Sequence, residues 1–487
     1  MTAILAIDQG TTSTKAMLVP ASGEAPAVAS VPVRRAYPRP GRVEQDPLEL
    51  WRSVLTAVGQ LPVAGLAGLA GVAVTSQRES VVVWDRRTGE PLAPCVSWQC
   101  GRGAEFCDRL RADGAESLVR EISGLPLDPM FSAAKLRHLL DSNPALRAAA
   151  EDGTACAGTV DSWLVWNLSG GALHVTDAGN ASRTLLFDLR RLCWSEELLD
   201  LFGLPAAFLP RVVPSFGVPG ETVRQGPLPC VPITAVTADS HAALYGLGCV
   251  RRGTAKATYG TGTSVMSPLG PAPERSGSGL AATVAWLADR PAYALEGNAT
   301  SSGATVDWLA RLLGLAGPAA VEALAATVPG AGDVHIVPAF AGLGAPYWRP
   351  AERGRITGLT FASGPAEVAR AAIESIAFQV ADLVRALERD IGGRLTELRA
   401  DGAASRNDLL IQFQADLLGC PVVRGGVPHA AARGAAMAGG VAAGLFSGDD
   451  VGRWPVGGER IEPRMTDGSR ADLLDAWHEA VGQAPST

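Results

Sequence analysis

The stretch Ala6-Ile7-Asp8-Gln9-Gly10-Thr11-Thr12-Ser13 decides how the chain is read, because it returns near the middle as Ala257-Thr258-Tyr259-Gly260-Thr261-Gly262-Thr263-Ser264. Each copy is an apolar β-like run, a tight turn of glycine and hydroxyl residues, and a second β-like run. Two hairpins of one kind, half a chain apart, predict two similarly built α/β domains that face a shared ligand. Gly-Thr turns are common, so the echo is weak by itself. The chain has 487 residues, more than one hydrophobic core usually supports, which agrees with two domains. The boundary is placed near residue 245, giving domains 1–245 and 246–487.

Working outward from the first hairpin, Asp46-Pro47-Leu48-Glu49 opens a helix with an N-cap acid and proline at the first helical position. Its apolar face is read as Leu48, Trp51, Leu55 and Val58. Strands are expected at 69–75 and 81–84, helical patterns from about 103 to 170, and a last helix at 468–479. Hydrophobic residues make up 47% and charged residues 19% of the chain, as in soluble globular proteins. With Lys+Arg 42 against Asp+Glu 49, the net charge of −7 argues against nucleic acid or an anionic membrane as partner. The eight cysteines form no Cys-x-x-Cys pair, so scattered thiols in a reducing cytosol are expected rather than a zinc or redox site. The apolar stretch from Leu61 to Val74 contains Pro62 and three glycines and is too short to span a bilayer. A cytoplasmic protein is the expectation.

The chemistry sits at strand ends. No Gly-x-x-x-x-Gly-Lys-Ser/Thr loop exists, which excludes the P-loop solution to phosphate binding. Two turns clasping a polyphosphate from opposite sides are another solution, since their N–H groups and hydroxyls all donate. Gly10-Thr11-Thr12-Ser13 and Gly260-Thr261-Gly262-Thr263 have that chemistry, with Lys15 to neutralise charge; either turn alone reads equally as an ordinary hairpin. Asp8 suits a magnesium ion held partly through water, or a turn cap. Asp239 follows the apolar run from Val231 to Val236 and precedes a helix expected from Ser240; it suits a proton acceptor, or an N-cap. Arg78 and Glu79, at the end of a buried strand, can bond vicinal hydroxyls as donor and acceptor, or pair on an exposed turn.

Taken in order, these segments resemble the FGGY carbohydrate kinases, and within them the glycerol kinases. The resemblance runs nearly end to end through residues 8–13, 41–47, 77–85, Ser97-Trp98-Gln99-Cys100, residues 124–129, Asn180-Ala181-Ser182-Arg183-Thr184 and Tyr259-Gly260-Thr261-Gly262. It implies an α/β fold of two ribonuclease H-like (actin-like ATPase) domains with ATP and acceptor in the cleft between them. By resemblance, Asp8 lies near Mg2+, and Thr11, Thr12, Ser13 and Lys15 near the transferred phosphate. Gly260, Thr261, Gly303, Asp307, Ala403 and Asn407 match positions around the nucleotide; Asp307 replaces a glutamine and Ala403 a glycine. Arg78, Glu79 and Trp98 match acceptor-binding positions, and Asp239 the general base.

Three other acceptor positions depart from the family pattern: Met130 replaces a tyrosine, Ser240 a glutamine and Ser264 a phenylalanine. Their loss suggests a roomier pocket, so a tetritol, pentitol or ketopentose such as xylulose stands beside glycerol as an expected acceptor. His241 is read as a helix-face residue with a structural partner, or as a group that tunes Asp239. The expected partner is a small-molecule polyol or sugar, with no nucleic acid or membrane, and a homodimer or homotetramer is left open. A non-catalytic nucleotide switch of the actin or Hsp70 kind is the remote alternative.

Overall fold

The structure is a computed structural model describing residues 2–22, 25–218, 220–340, 342–349, 351–426, 428–448 and 457–482. β1 (Ala3–Gln9) is buried along its whole length, as its unbroken small and branched side chains predict for a central strand. β1 pairs antiparallel with β2 (Ser13–Pro20), and β2 with β3 (Ala27–Pro32). On its other side β1 runs parallel to β4 (Leu69–Ser76), which runs parallel to β5 (Ile233–Ala238). The sheet order is therefore β3-β2-β1-β4-β5.

The second sheet contains β6 (Thr254–Tyr259), β7 (Thr263–Gly270), β8 (Ala281–Leu287), β9 (Pro291–Ala299), β10 (Glu397–Asp401), β11 (Val422–Arg424) and β12 (Glu459–Ile461), ordered β8-β9-β7-β6-β10-β11-β12. Its inner strands β9-β7-β6-β10-β11 repeat the first sheet: three antiparallel strands, then two joined in parallel. Two ribonuclease H-like domains result, and the two echoed turns occupy equivalent β1–β2 and β6–β7 connections.

Helices α1 (Asp239–Gly246), α2 (Pro365–Ile391) and α3 (Ala430–Ala442) place the site. α2 is the spine of the second domain, where Phe378 stacks on Trp477 of the last helix at 5.1 Å. α3 belongs to the second half of the sequence, yet with α1 it covers the first sheet. Ala432, Ala435, Ala436 and Met437 pack with Ala242 and Tyr245 against Ile4, Ala6, Ala73 and Ala235. Small residues let the two helices approach closely: a Cβ on Gly434 would overlap the Ala242 carbonyl, and one on Gly246 would strike the Gly434 backbone.

Two sequence expectations change. Asp46 caps helix Pro47–Gly59 as predicted, accepting from the Leu48 amide at 2.9 Å. The buried face of that helix, however, is Leu50, Val54, Ala57 and Val58, while Leu48 is exposed. Ser53 lies on the same side, its hydroxyl 2.6 Å from that of Thr14 on β2. The helical run expected over 103–170 is interrupted by the buried strand Ala155–Thr159, which pairs antiparallel with Val81–Asp85. Its five small, apolar and hydroxyl residues are too few to show a period that separates strand from helix. No helix among the described residues is long and apolar enough to cross a membrane.

Because Gly434 holds α1 against α3, Gly434→Ala is expected to cost about 1–3 kcal/mol by overpacking. Urea unfolding of the full chain checks this; a midpoint equal to wild type would contradict the packing account.

Candidate functional site

Residues 77–80 carry the chain from β4 to strand Val81–Asp85 of a separate four-stranded sheet. The bend puts Glu79 at φ 59°, a left-handed conformation that a side chain adopts only under constraint. Arg78, only 8% exposed, donates through both terminal nitrogens to Glu296 of β9, at 2.6 Å to Oε2 and 2.7 Å to Oε1. Its Nε lies 3.4 Å from Oδ1 of Asp239 and 3.9 Å from Oε1 of Glu79. Arg183 completes the cluster: its Nε donates to Glu79 at 2.7 Å and its Nη1 lies 3.0 Å from Glu296. The Arg183 guanidinium also lies over the Phe131 ring at 5.1 Å. Charges of opposite sign thus alternate from Asp239 through Arg78, Glu296 and Arg183 to Glu79. Burial alone would raise the Glu296 pKa, but Arg183 and Arg78 reverse this and hold it well below the usual carboxylate range. Burial likewise acts to lower the Arg78 pKa and is outweighed by Glu296 and Glu79.

Asp239 is the first residue of α1, directly after β5. Its side chain is 34% exposed, which leaves the carboxylate open to a small molecule. Desolvation pushes its pKa up to about 6; Arg78 opposes the rise, and Asp8 and Glu79 add to it. The Ser240 amide donates to Oδ1 at 2.6 Å and fixes the carboxylate's orientation. Such a group is ionised at neutral pH yet more basic than an ordinary carboxylate, the balance a proton acceptor needs.

At the first turn, the Gly10 amide donates to the Ser13 carbonyl at 3.0 Å. Asp8 and Lys15 face each other across β1 and β2, with Nζ 3.3 Å from Oδ2. Trp98 Nε1 donates to Thr11 Oγ1 at 3.0 Å, so an expected acceptor residue and an expected phosphate residue share a bond. Behind them Gln77 donates to Gln9 at 3.1 Å and to Gln45 at 2.9 Å, and Gln45 donates to the Thr11 carbonyl at 3.1 Å. This buried amide network holds the turn rigid. No group of three metal-ligating side chains occurs among the described residues. A single carboxylate such as Asp8 still suits magnesium, which takes most of its ligands from water and phosphate.

The second turn is stapled to helix Gly303–Leu312. The Gly303 amide donates to Gly260 O at 3.0 Å, and Ser302 and Ala304 donate to Thr261 O at 2.9 Å and 3.2 Å. Gly402 packs so tightly on Tyr259 that a Cβ there would strike its backbone. These contacts bring Gly260, Thr261, Gly303 and the neighbourhood of Ala403 to one end of the second sheet. Asp307 and Ala403 are exposed, whereas the Asn407 side chain is engaged as the cap of helix Asp408–Leu418, accepting from Leu410 N at 2.9 Å.

The departures from the family pattern look different in three dimensions. The buried Lys256 Nζ donates to Ser240 Oγ and to Ser264 Oγ, each at 3.3 Å, so both serines are occupied by an ammonium group. The Met130 side chain packs against the apolar cluster that contains Phe131 and Leu127. Its carbonyl accepts from the buried Lys135 amine. His241 is 1% exposed, its Nε2 3.5 Å from Thr283 Oγ1, and burial holds its pKa well below the ordinary value, so it is neutral. Glu296, Arg183, Lys256 and Asp401 were not singled out from the sequence as site residues. The available signal was a lone charge in an apolar strand: Glu296 after Tyr293-Ala294-Leu295, and Lys256 between two alanines.

Comparison with known proteins agrees with this geometry. A model described as the FGGY family of carbohydrate kinases, N-terminal domain, matches residues 3–246, and its C-terminal counterpart matches residues 255–443. The glycerol kinase of Aromatoleum aromaticum is 47% identical, covering 99% of this chain and 99% of its own length. That of Alkalilimnicola ehrlichii is 49% identical, covering 99% and 98%. The crystal structure of Plasmodium falciparum glycerol kinase with ADP superposes with a TM-score of 0.92 at 29% identity, covering 100% of this chain and 99% of that one. A xylulose kinase from Rhodospirillum rubrum gives 0.84 at 26% identity, covering 99% and 97%.

Replacing Glu296 by Gln leaves two buried guanidinium groups short of a counter-charge, with an expected destabilisation of about 3–5 kcal/mol. Ser264→Ala, which removes one neutral partner of the same carboxylate, is expected to cost about 0.5–1.5 kcal/mol. Denaturant unfolding of both variants is the check, and equal losses would contradict the charge-cluster account.

Proposed function

The chain belongs to the FGGY family of carbohydrate kinases and is an ATP-dependent kinase of a small polyol, and from that premise we propose that its acceptor is glycerol and that Asp239 is the general base. The observation that carries this reading is the half-open Asp239 carboxylate 3.4 Å from the Arg78 Nε, at the end of the first sheet where Asp8 lies on the other side of β4. An acceptor hydroxyl bonded to Asp239 gives its proton to the carboxylate as its oxygen attacks the terminal phosphorus of ATP. The O–H bond breaks, the new O–P bond forms, the bond to the β-phosphate oxygen breaks, and ADP leaves. Arg78 and Glu79 supply a donor and an acceptor for the remaining hydroxyls, and Trp98 an apolar wall braced on Thr11.

The two Gly/Thr turns are assigned to the phosphates: Thr11, Thr12, Ser13 and Lys15 from one side, Gly260 and Thr261 from the other. Gly303, Asp307, Ala403 and Asn407 are assigned to the nucleotide. Asp8 would hold Mg2+, which supplies charge neutralisation to the phosphates when bound. Positioning and electrostatics, not covalent chemistry, carry most of the rate in such transfer.

A larger acceptor such as a pentitol or xylulose is not favoured. Two full-length relatives named glycerol kinase are 47% and 49% identical, and among the solved structures above the glycerol kinase, at 29% and TM-score 0.92, lies nearer than the xylulose kinase, at 26% and 0.84. The Lys256 amine between Ser240 and Ser264 also argues against reading those two positions as empty volume. A non-catalytic switch is disfavoured by the kinase family itself. Domains 1–245 and 246–487 and cytoplasmic placement accord with this reading.

An ADP-release screen with magnesium and ATP over glycerol, erythritol, ribitol, xylulose and dihydroxyacetone tests the acceptor. Glycerol is expected to give the highest kcat/KM; a higher value for xylulose would overturn the assignment. Asp239→Asn is expected to lower kcat by about 100-fold or more while ADP binding stays within about twofold. Unchanged turnover would remove Asp239 as base.

A further inference from the structure

Lys256 is wholly buried on β6, and its neighbours account for every one of its protons. Nζ donates to Thr258 Oγ1 at 3.0 Å and to Ser240 Oγ and Ser264 Oγ at 3.3 Å. No carboxylate among the described residues pairs with it directly; the carboxylates are reached through hydroxyls. Ser264 Oγ donates to Glu296 Oε1 at 2.7 Å, and Thr258 Oγ1 donates to Asp401 Oδ1 at 2.5 Å. Both directions are forced, because an ionised carboxylate only accepts. Ser240 is the exception: its oxygen accepts from Lys256, and its proton has no partner among the described residues. Ser240 is half-buried and sits next to Asp239.

This arrangement breaks a symmetry that a serine otherwise keeps. A free hydroxyl can turn to donate or to accept; one already accepting from a buried ammonium offers its proton outward. Beside Asp239, which accepts a proton, stands a group that presents one.

We propose that Lys256 is a positioning residue for the acceptor: it holds Ser240 as a donor to the acceptor oxygen next to the attacking hydroxyl, and so selects polyols that carry an oxygen at that carbon. The inference rests on the glycerol-kinase reading above. Lys256 lies on the second domain and Ser240 on α1 of the first, so this donor forms where the two domains meet. A merely structural lysine would add to stability without acting on one oxygen of the acceptor.

The test compares glycerol with propane-1,3-diol, which lacks the middle oxygen, in wild type, Ser240→Ala, Lys256→Met and the double variant. Wild type is expected to favour glycerol in kcat/KM. Ser240→Ala should shrink that preference by about tenfold, the worth of one good hydrogen bond, with KM for ATP within about twofold. Lys256→Met should shrink it equally, and the double variant should lose no more than about twofold beyond either. If Ser240→Ala keeps the full preference, or the two losses multiply, the proposal is wrong. Should Lys256→Met fail to fold, Lys256→Gln takes its place: the same loss of preference is expected, and a full preference for glycerol in that variant overturns the proposal. A wild-type enzyme that phosphorylates neither compound overturns the functional reading, and the inference falls with it; glycerol turnover with an unchanged preference in Ser240→Ala overturns the inference only.

Discussion

The bidentate pair between Arg78 and Glu296 joins a bend in the first domain to a strand of the second, at 2.6 Å and 2.7 Å, with neither group open to bulk water. Two charges buried in this way are expensive to desolvate, so the pair is poor evidence for stability and good evidence for geometry. It requires the two halves of the chain to meet in one register. Once they do, Arg183 has its place between Glu296 and Glu79, and the Arg78 Nε is left facing Asp239. The left-handed backbone at Glu79 lies within the same cluster, where the adjacent Arg78 and Glu79 side chains both enter it.

Asp239 depends on a second, apolar constraint. α1 hangs its carboxylate over the end of β5, and the position of α1 is set by alanine and glycine contacts with α3, a helix from the far end of the sequence. The position of Asp239 is thus braced from both domains: by charge at Arg78 and Glu296, and by close packing at Gly246 and Gly434. The same closeness dries the carboxylate enough to raise its pKa while leaving one side open.

Much of this is legible in the sequence. The repeated Gly-Thr turn announced two like domains because the same strand-turn-strand unit was needed twice, and both copies fall at equivalent hairpins. Asp8, Arg78 and Asp239 stood out as charges at the ends of apolar runs, where strands deliver side chains to a cleft. The helix face at Leu48 differs because a second apolar stripe, Leu50, Val54, Ala57 and Val58, has the same helical spacing, and hydropathy alone does not say which stripe meets the sheet. The partner shared by Ser240 and Ser264 is hidden from the sequence for another reason. Lys256 lies several residues away on a neighbouring strand, and nothing local says that its amine lies between them. Pairings such as Arg78 with Glu296, 218 residues apart, follow from topology, which local pattern does not encode.

Asp239, the proposed general base, ionises above an ordinary carboxylate. The direct measurement is the pH dependence of kcat/KM for glycerol at saturating magnesium and ATP. The predicted result is an acid limb centred near pH 6, the pKa to which burial pushes Asp239, below which activity falls by about tenfold per pH unit. A profile that stays flat down to about pH 4.5, where an unperturbed aspartate would still be ionised, would contradict it.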